Sequence, residues 1–304
     1  MLTLRWILTG RSGVRAGWSI VIFAIIVATT LILRNFLLQT LAPTLSIHPH
    51  DSSDAPSLFL LLKEGSLAIL TLGATFAMAK TEGRSLWSYG LAGTHSARNF
   101  TTGLIAGVVV FSLLVGVMAL LHSLAFDGRS LHGGAILGYA LFWALFYFIV
   151  GFFEEILFRG YLQHTVARGI GFWPAAICCS VAFGFAHLPN SGEDFIGIAV
   201  VVLSGIFLSL CLKITGSLWW GIGFHSAFGW AEAFLFGTAN SGNALIEGRL
   251  VSAHPVGDVR FSGGAAGPEG SLVCVGLVLV LIMLAGAAAM LKRRSSTGPE
   301  GGYA

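Results

Sequence analysis

The sequence predicts an all-α protein, a polytopic membrane bundle of about eight transmembrane helices. Composition is the first reason: 55% of the 304 residues are hydrophobic and 10% are charged, whereas a soluble protein carries about 25% charged residues. The second reason is a series of apolar runs, each close to the roughly 20 residues that a helix needs to cross a bilayer. The third is that Lys and Arg concentrate at alternate ends of these runs, as the positive-inside rule describes.

The spans are assigned to the eight apolar runs. In chain order they cover Trp18 to about Leu38, Leu58 to Ala79, Phe100 to Leu121, Ala135 to near Val166, Trp173 to His187, Phe195 to Leu212, Leu218 to Phe236, and Leu272 to Leu291.

The basic residues set the expected orientation. They lie at the N-terminus and at positions 80–98, 159–168, 213 and 292–294, which places both termini in the cytoplasm of a multi-pass protein of the inner or plasma membrane. Residues 80–98 are expected to lie along the interface. Asn240 to Gly270 reads as an external, mobile loop rich in glycine.

Several classes of function are excluded by composition and by missing motifs. The formal net charge of +3, without a basic run that carries aromatics, gives no support for nucleic-acid binding. The four cysteines lie in apolar runs and form no CxxC motif, so they are expected to be core residues. The sequence contains no Walker loop, GxSxG, HExxH or dinucleotide fingerprint.

The stretch from Phe152 to Gly160 places Glu154, Glu155 and Arg159 directly after an apolar run. A carboxylate in hydrocarbon costs roughly 2.5–3.5 kcal/mol on insertion scales, so such groups indicate a functional site. Glu155 and Arg159 are four residues apart and can pair on one helix face. Glu154 is turned away by about 100° and is free to meet water or another helix. The alternative is a solvated Glu/Arg cluster on a helix that emerges into the cytosol.

Two histidines, His187 and His225, lie well within predicted spans. Phe183 shares a helix face with His187, and Glu232 follows His225 by two turns. A lone buried histidine is more often a core residue, but two histidines and a glutamate pair favour one site. If the fourth and fifth spans form a hairpin near 168–171, Glu155 and His187 both lie ~23 Å from the turn. This matching depth predicts a Glu–His pair across the two helices.

Such residues support two kinds of hydrolysis. A glutamate beside a histidine can take a proton from water and pass it to a leaving amine, while the second histidine stabilises the oxyanion. The same residues could instead hold a zinc ion through His187, His225 and Glu154, with one position left for water.

These motifs resemble the CPBP family, which takes in type II CAAX prenyl endopeptidases and bacterial abortive-infection and bacteriocin self-immunity proteins. Glu154, Glu155 and Arg159 match its Glu-Glu-x-x-x-Arg motif, Phe183 and His187 match Phe-x-x-x-His, and His225 begins its third motif. The resemblance covers about Ala135 to Phe236.

The resemblance implies an all-helical intramembrane endopeptidase, usually described as a metalloprotease. Glu154 and His187 would activate water and His225 would help to hold the oxyanion, with Glu155 as the second glutamate of the motif. The expected substrate is a protein or peptide at the membrane, including CAAX-like ones, in contact with membrane lipid. On this interpretation, residues 1–134 hold the first helices and the interfacial segment, residues 135–236 form the catalytic core, and residues 237–304 hold the external loop, the last helix and a cytoplasmic tail.

Position 229 departs from the family pattern, because glycine stands where the third motif has Asn or Asp. Loss of a donor in an oxyanion hole typically costs on the order of 10²–10³ in rate. Glu232, on roughly the same face as His225, or Ser226 could substitute. Gly229 also supports an alternative, a catalytically silent immunity or scaffold protein. A proton-coupled transporter is the other alternative, because intramembrane Glu, His and Arg serve as ion relays, although no inverted repeat is visible.

Overall fold

The computed structural model describes residues 9–10, 13–44, 58–93, 95–190, 192–242 and 248–296. The α-helices are α1 (Ala16–Thr44), α2 (Leu58–Thr81), α3 (Ser96–Leu120), α4 (Ala135–Glu155), α5 (Gln163–Ile170), α6 (Phe172–His187), α7 (Phe195–Thr215), α8 (Leu218–Trp230), α9 (Val259–Ser262) and α10 (Leu272–Ser296). π-Helical segments follow α4 (Ile156–Leu162) and α8 (Ala231–Leu235). The 3₁₀ turns are Leu86–Tyr89, Gly264–Ala266 and Pro268–Gly270. The strands are β1 (Thr9–Gly10), β2 (Gly13–Val14), β3 (Leu124–Arg129) and β4 (Val251–Pro255).

Six helical stretches in the described ranges are long and apolar enough to cross a membrane. They are Ala16–Thr40, Phe59–Thr81, Ser96–Leu120, Ala135–Ile170, Phe195–Thr215 and Leu272–Lys292. Helix α6 is apolar but shorter, with 16 residues, and α8 with its π-helical continuation is the eighth apolar element. Each coincides with a predicted run, which confirms the predicted fold class and makes the chain a multi-pass membrane protein.

The outer surface of the bundle is apolar. Large hydrophobic side chains such as Ile32, Leu137 and Met283 are more than half exposed on three different spanning helices. A continuous apolar surface of this kind is unfavourable in water, whereas lipid chains solvate it. The polar side chains described below are therefore turned inward.

Helices α3 and α8 approach closely through glycine. A β-carbon at Gly103 would overlap the carbonyl oxygen of Trp220, and one at Gly107 would lie 2.9 Å from the backbone nitrogen of Phe228. Small residues let helices pack backbone to backbone in a membrane. This contact holds α8 firmly and thereby fixes the position of His225.

Helix α4 crosses the opposite face of α8 through Gly151, where a β-carbon would lie 2.7 Å from Ser226 Oγ. Ser226 itself donates to the carbonyl of Ile222, so its hydroxyl is satisfied within α8. The crossing brings the last turn of α4, which carries the two glutamates, beside the middle of α8. The main apolar core lies between α3, α7, α8 and α10.

Residues 248–270 are more ordered than the mobile, glycine-rich loop that the sequence predicted. Strand β4 pairs antiparallel with β3, with Leu124 opposite Pro255, and Trp143 Nε1 donates to the carbonyl of Gly248. The pairing joins segments more than 120 residues apart, which a local pattern does not reveal. Residues 243–247 of the predicted loop lie outside the described residues.

The connection after α2 also forms local structure. The 3₁₀ turn Leu86–Tyr89 buries Tyr89, and the carboxylate of Glu82 accepts hydrogen bonds from Tyr161 (3.1 Å) and Arg168 (3.2 Å). Burial and the neighbouring Glu82 raise the pKa of Tyr89 to about 12. The network anchors the end of α2 to the π-helical segment and α5.

Candidate active site

The ion pair between Glu155 and Arg159 forms as predicted from their spacing. Arg159 Nη1 lies 3.1 Å from Glu155 Oε1, and each side chain is 1% exposed. The helix widens from α to π geometry directly after Glu155, and such wide turns are frequent at functional sites. Arg159 also lies over the ring of Phe183, with the guanidinium carbon 4.2 Å from the ring centre. A buried charge needs such partners, because an unpaired one is strongly destabilising.

His225 is the imidazole that meets the glutamates. Its Nδ1 lies 3.3 Å from Glu155 Oε1, and its Nε2 lies 3.6 Å from Glu154 Oε2. An ionised carboxylate only accepts hydrogen bonds, so Nδ1 carries the proton in the contact with Glu155. Gly221 makes room for this carboxylate, since a β-carbon there would lie 3.2 Å from Glu155 Oε2.

Glu154 differs from Glu155 in the way that the helix geometry predicted. Its side chain is 15% exposed, against 1% for Glu155. Its Oε2 is buried and has no hydrogen-bond partner among the described residues. Glu154 therefore keeps a carboxylate oxygen without a hydrogen-bond partner within the described ranges, whereas Glu155 is occupied by Arg159 and His225.

His187 lies at the end of α6 and faces Phe183 of its own helix. Its Nδ1 is 2.9 Å from the carbonyl oxygen of Phe183, and the two ring centres are 4.7 Å apart. A carbonyl can only accept, so Nδ1 donates and Nε2 is left to interact elsewhere. In the described part of the chain, His187 forms no hydrogen bond or ion pair with Glu154 or Glu155. The expected pairing of a span-four glutamate with the span-five histidine is thus corrected: the partner is His225 of α8.

Phe183 organises the site as its central apolar contact. Its ring packs against Arg159, His187, His225 and Phe158, with the centre of the His225 ring 6.3 Å away and that of Phe158 5.0 Å away. The Phe-x-x-x-His spacing therefore places one aromatic ring between both histidines and the arginine.

A cavity of about 60 Å³ lies next to both histidines and Phe183. A buried water needs roughly 10–15 Å³ of this kind of volume, so the cavity has room for about four water molecules. Its walls are mostly apolar side chains of α3, α7, α8 and α10, with Ser241 and Glu269 from the region after α8. The two histidines thus share one small, partly polar space.

Glu232 does not line this cavity or contact His225. It is fully buried in the π-helical segment after α8, and its Oε2 accepts a hydrogen bond from Asn240. Ser226 donates within its own helix. Neither expected substitute for the missing Asn or Asp at position 229 therefore reaches the cavity.

Sequence reasoning missed Tyr147, Ser241 and Glu269. The ring of Tyr147 occupies the space beside Gly229, and Ser241 and Glu269 line the cavity. Tyr147 lies seven residues before Glu154, so helical spacing could have placed the two on one face. Nothing in the sequence pattern marks Ser241 or Glu269, because they reach the site from a region without helical periodicity.

The predicted zinc ligands do not converge. Among the residues that the structure describes, no group of three or more His, Cys, Asp or Glu side chains has an arrangement that could hold a metal ion. Both ring nitrogens of His225 face carboxylates, and Nδ1 of His187 faces its own helix. This arrangement of His187, His225 and Glu154 does not fit a zinc ion.

Comparison with known proteins agrees with the motifs. No curated protein matches the chain. The family model described as type II CAAX prenyl endopeptidase Rce1-like matches residues 136–231, about a third of the chain. This stretch runs from the start of α4 to the end of α8 and contains both glutamates and both histidines. The match supports the predicted resemblance: residues 136–231 are similar to the Rce1-like type II CAAX prenyl endopeptidases, a protease family.

Proposed function

We propose that the protein is an intramembrane endopeptidase that hydrolyses a peptide bond of a membrane-associated substrate, with Glu154 as the general base. The observation that carries this proposal is the buried contact of Glu154 and Glu155 with the two nitrogens of His225. Two acidic side chains that contact one imidazole inside an apolar bundle are energetically costly. Intramembrane ionisable groups of this kind usually have a function.

The reaction follows from the positions of these groups. Glu154 takes one proton from water, and the water oxygen forms a bond to the peptide carbonyl carbon. His225 Nε2, 3.6 Å from Glu154 Oε2, receives that proton and delivers it to the peptide nitrogen as the carbon–nitrogen bond breaks. The products are a carboxylate and an amine. Glu155 and Arg159 keep His225 in one tautomer and orientation.

His187 is assigned to the oxyanion. Its Nε2 is the nitrogen not used within α6, and it lines the same cavity as His225. A protonated Nε2 would donate to the negatively charged oxygen of the tetrahedral intermediate. The contacts favour this exchange of roles between the two histidines over the roles that the family resemblance implies.

The cellular setting belongs to the same proposal. Lys and Arg at alternate ends of the spans favour an inner or plasma membrane protein with both termini in the cytoplasm. CAAX-like proteins are the substrate class that the family description suggests. The sequence-based expectation of zinc is tested by metal analysis of the purified wild type against His187→Ala, and the arrangement of the three side chains predicts that neither protein holds the ion.

A catalytically silent immunity or scaffold protein is the second candidate. Gly229 and the adjoining Tyr147 ring favour it, because they leave no donor of the expected kind at that position. Under this alternative, an abortive-infection or bacteriocin-immunity phenotype would survive replacement of both glutamates.

The test uses the full chain in proteoliposomes with a library of membrane-tethered peptides, in water enriched in ¹⁸O. Mass spectrometry should find new carboxyl termini that carry one ¹⁸O atom with the wild type. Glu154→Gln and His225→Gln should lower their yield by at least 10², the lower bound for losing general acid–base catalysis. Asp258→Asn and His254→Gln, which change exposed side chains, are the matched controls. Cleavage at the wild-type rate in Glu154→Gln protein would refute the proposal.

A further inference from the structure

The wall of the cavity carries an unbalanced negative charge. Its polar side chains are His187, His225, Ser204, Ser241 and Glu269, and no Lys or Arg is among the described residues that line it. Glu269 is the single acidic side chain among the described residues of this lining. It comes from the turn before α10, outside the region that matches the protease family.

Glu269 is held in a defined position. The backbone N–H and the hydroxyl of Ser241 both donate to its Oε2, at 3.0 and 2.7 Å. Ser241 has a φ of 41°, a left-handed conformation that costs on the order of 1 kcal/mol or more and persists only where the surroundings fix it. Asn190 donates to the carbonyl of Ser241 at 2.9 Å. These hydrogen bonds therefore hold the Glu269 carboxylate in a fixed position at the cavity wall.

Two further carboxylates lie near Glu269 and form no ion pair with another described residue. Glu232 is fully buried and its Oε1 has no hydrogen-bond partner, and both carboxylate oxygens of Glu193 are likewise unpartnered within the described residues. Burial, followed by the charges of Glu269 and Asp194, raises the pKa of Glu193 to about 7. These acids are not arranged to hold a metal ion. The region therefore attracts a positive charge, and an organic cation fits where a metal ion does not.

The rest of the cavity wall suits a hydrocarbon stem. Val200, Val201, Leu208, Phe224 and Leu277 line the same cavity as the two histidines and Glu269. An amphipathic chain such as that of lysine buries its methylene groups against apolar walls while its ammonium group meets a polar partner.

We infer that Glu269 is the acidic end of a binding subsite for a primary ammonium group on an apolar stem, in the cavity that His187 and His225 line. That the ligand is a peptide rests on the proposed function, whereas the preference for ammonium does not. Two sources share this chemistry. One is a lysine side chain of the substrate, and the other is the α-amine that hydrolysis of a peptide bond creates.

The electrostatic test uses the full chain with Glu154→Gln, so that no cleavage is needed, and with Ser204→Cys as a reporter in the cavity. The reaction rate of the introduced thiol is measured by mass spectrometry with cationic 2-aminoethyl methanethiosulfonate and with neutral methyl methanethiosulfonate. Addition of Glu269→Gln, which can still accept from Ser241, should lower the cationic-to-neutral rate ratio at least threefold. Asp258→Asn should leave the ratio unchanged. An equal ratio with and without Glu269→Gln overturns the inference.

A binding test on the Glu154→Gln chain identifies the source of the ammonium group. N-acetyl-lysine methylamide, leucine methylamide and neutral N-acetyl-norleucine methylamide are added and the thermal unfolding midpoint is recorded. A rise with the lysine compound alone assigns the subsite to a side chain, and a rise with the leucine compound alone assigns it to the α-amine. Both rises should disappear with Glu269→Gln. An equal rise with the neutral compound, or no rise with any of the three, overturns the inference. Loss of peptidase activity in the wild type would leave these results unaffected.

Discussion

The ring of Tyr147 lies against Gly229, and a β-carbon at position 229 would come within 2.5 Å of Tyr147 Cε1. The bulk that an Asn or Asp would contribute from α8 is thus contributed by a tyrosine from α4. The departure from the family pattern at position 229 is a steric exchange between two helices and leaves no space behind it.

Restoring the family residue at this position should destabilise the protein. We expect Gly229→Asn to lower the free energy of unfolding by about 1–3 kcal/mol or more, because overpacking forces side chains and backbone to shift. In the double variant Tyr147→Ala/Gly229→Asn, the loss should be smaller than the sum of the two single losses. Thermal or denaturant unfolding in detergent measures all three. An unchanged midpoint for Gly229→Asn alone would contradict the steric account.

The buried ion pair predicts a second mutational pattern. Glu155→Gln or Arg159→Met should each cost about 3–5 kcal/mol of stability, because each leaves one buried charge without its partner. The double variant Glu155→Gln/Arg159→Met removes both charges and should recover much of that loss. Unfolding measurements on the four proteins form a complete cycle. Additive losses in the double variant would show that the two side chains do not depend on each other.

Two glycines of α3 provide a matched pair for the helix contact. A β-carbon at Gly103 would overlap the backbone of Trp220, whereas one at Gly116 has no atom within 4 Å. Gly103→Ala should therefore separate α3 from α8 and lower stability by about 1–3 kcal/mol. Gly116→Ala should raise stability by roughly 0.5–1 kcal/mol, since alanine is the better helix former. Equal unfolding midpoints for the two variants would argue against the close packing of α3 on α8.

Glu193 should make the stability depend on pH. Its pKa is raised from 4.5 to about 7, first by burial and then by the charges of Glu269 and Asp194. Between these values the folded protein binds more protons than the unfolded chain, so stability falls as pH rises from about 4.5 to about 7. Glu193→Gln should flatten this part of the profile and stabilise the protein at pH 8 relative to pH 5. Unfolding midpoints across that range check the sign, and a parallel profile for the variant would contradict it.

The helices and the ion pair could be predicted from the sequence because both depend on local spacing. Runs of apolar residues mark the spans, and a separation of four residues places Arg159 beside Glu155. The partner of the glutamates could not be predicted in the same way. Counting residues from the turn places His187 and Glu155 at the same depth in the membrane. Which side chains meet also depends on the rotation of each helix about its axis, which this count does not give. The close packing of α8 on α3 and α4 sets that rotation and selects His225.

The contributions of Tyr147, Ser241 and Glu269 were beyond sequence reasoning for a related reason. Tyr147 packs against a glycine 82 positions later. Glu269 accepts a hydrogen bond from a serine 28 positions earlier. Neither pair follows a helical or strand period. Only the folded arrangement of the turns after α8 shows that they belong to one site.

The π-helical segment from Ile156 to Leu162 has a consequence for how the protein can vary. Beyond it, Gln163 is buried and its Oε1 accepts a hydrogen bond from Ser209 at 2.8 Å. Deleting one residue within the segment would rotate α5 by roughly 100° about the helix axis. The rotation would break the hydrogen bond between Gln163 and Ser209 and the packing of α5. The length of this segment should therefore be as tightly constrained as the identity of the buried Arg159 within it.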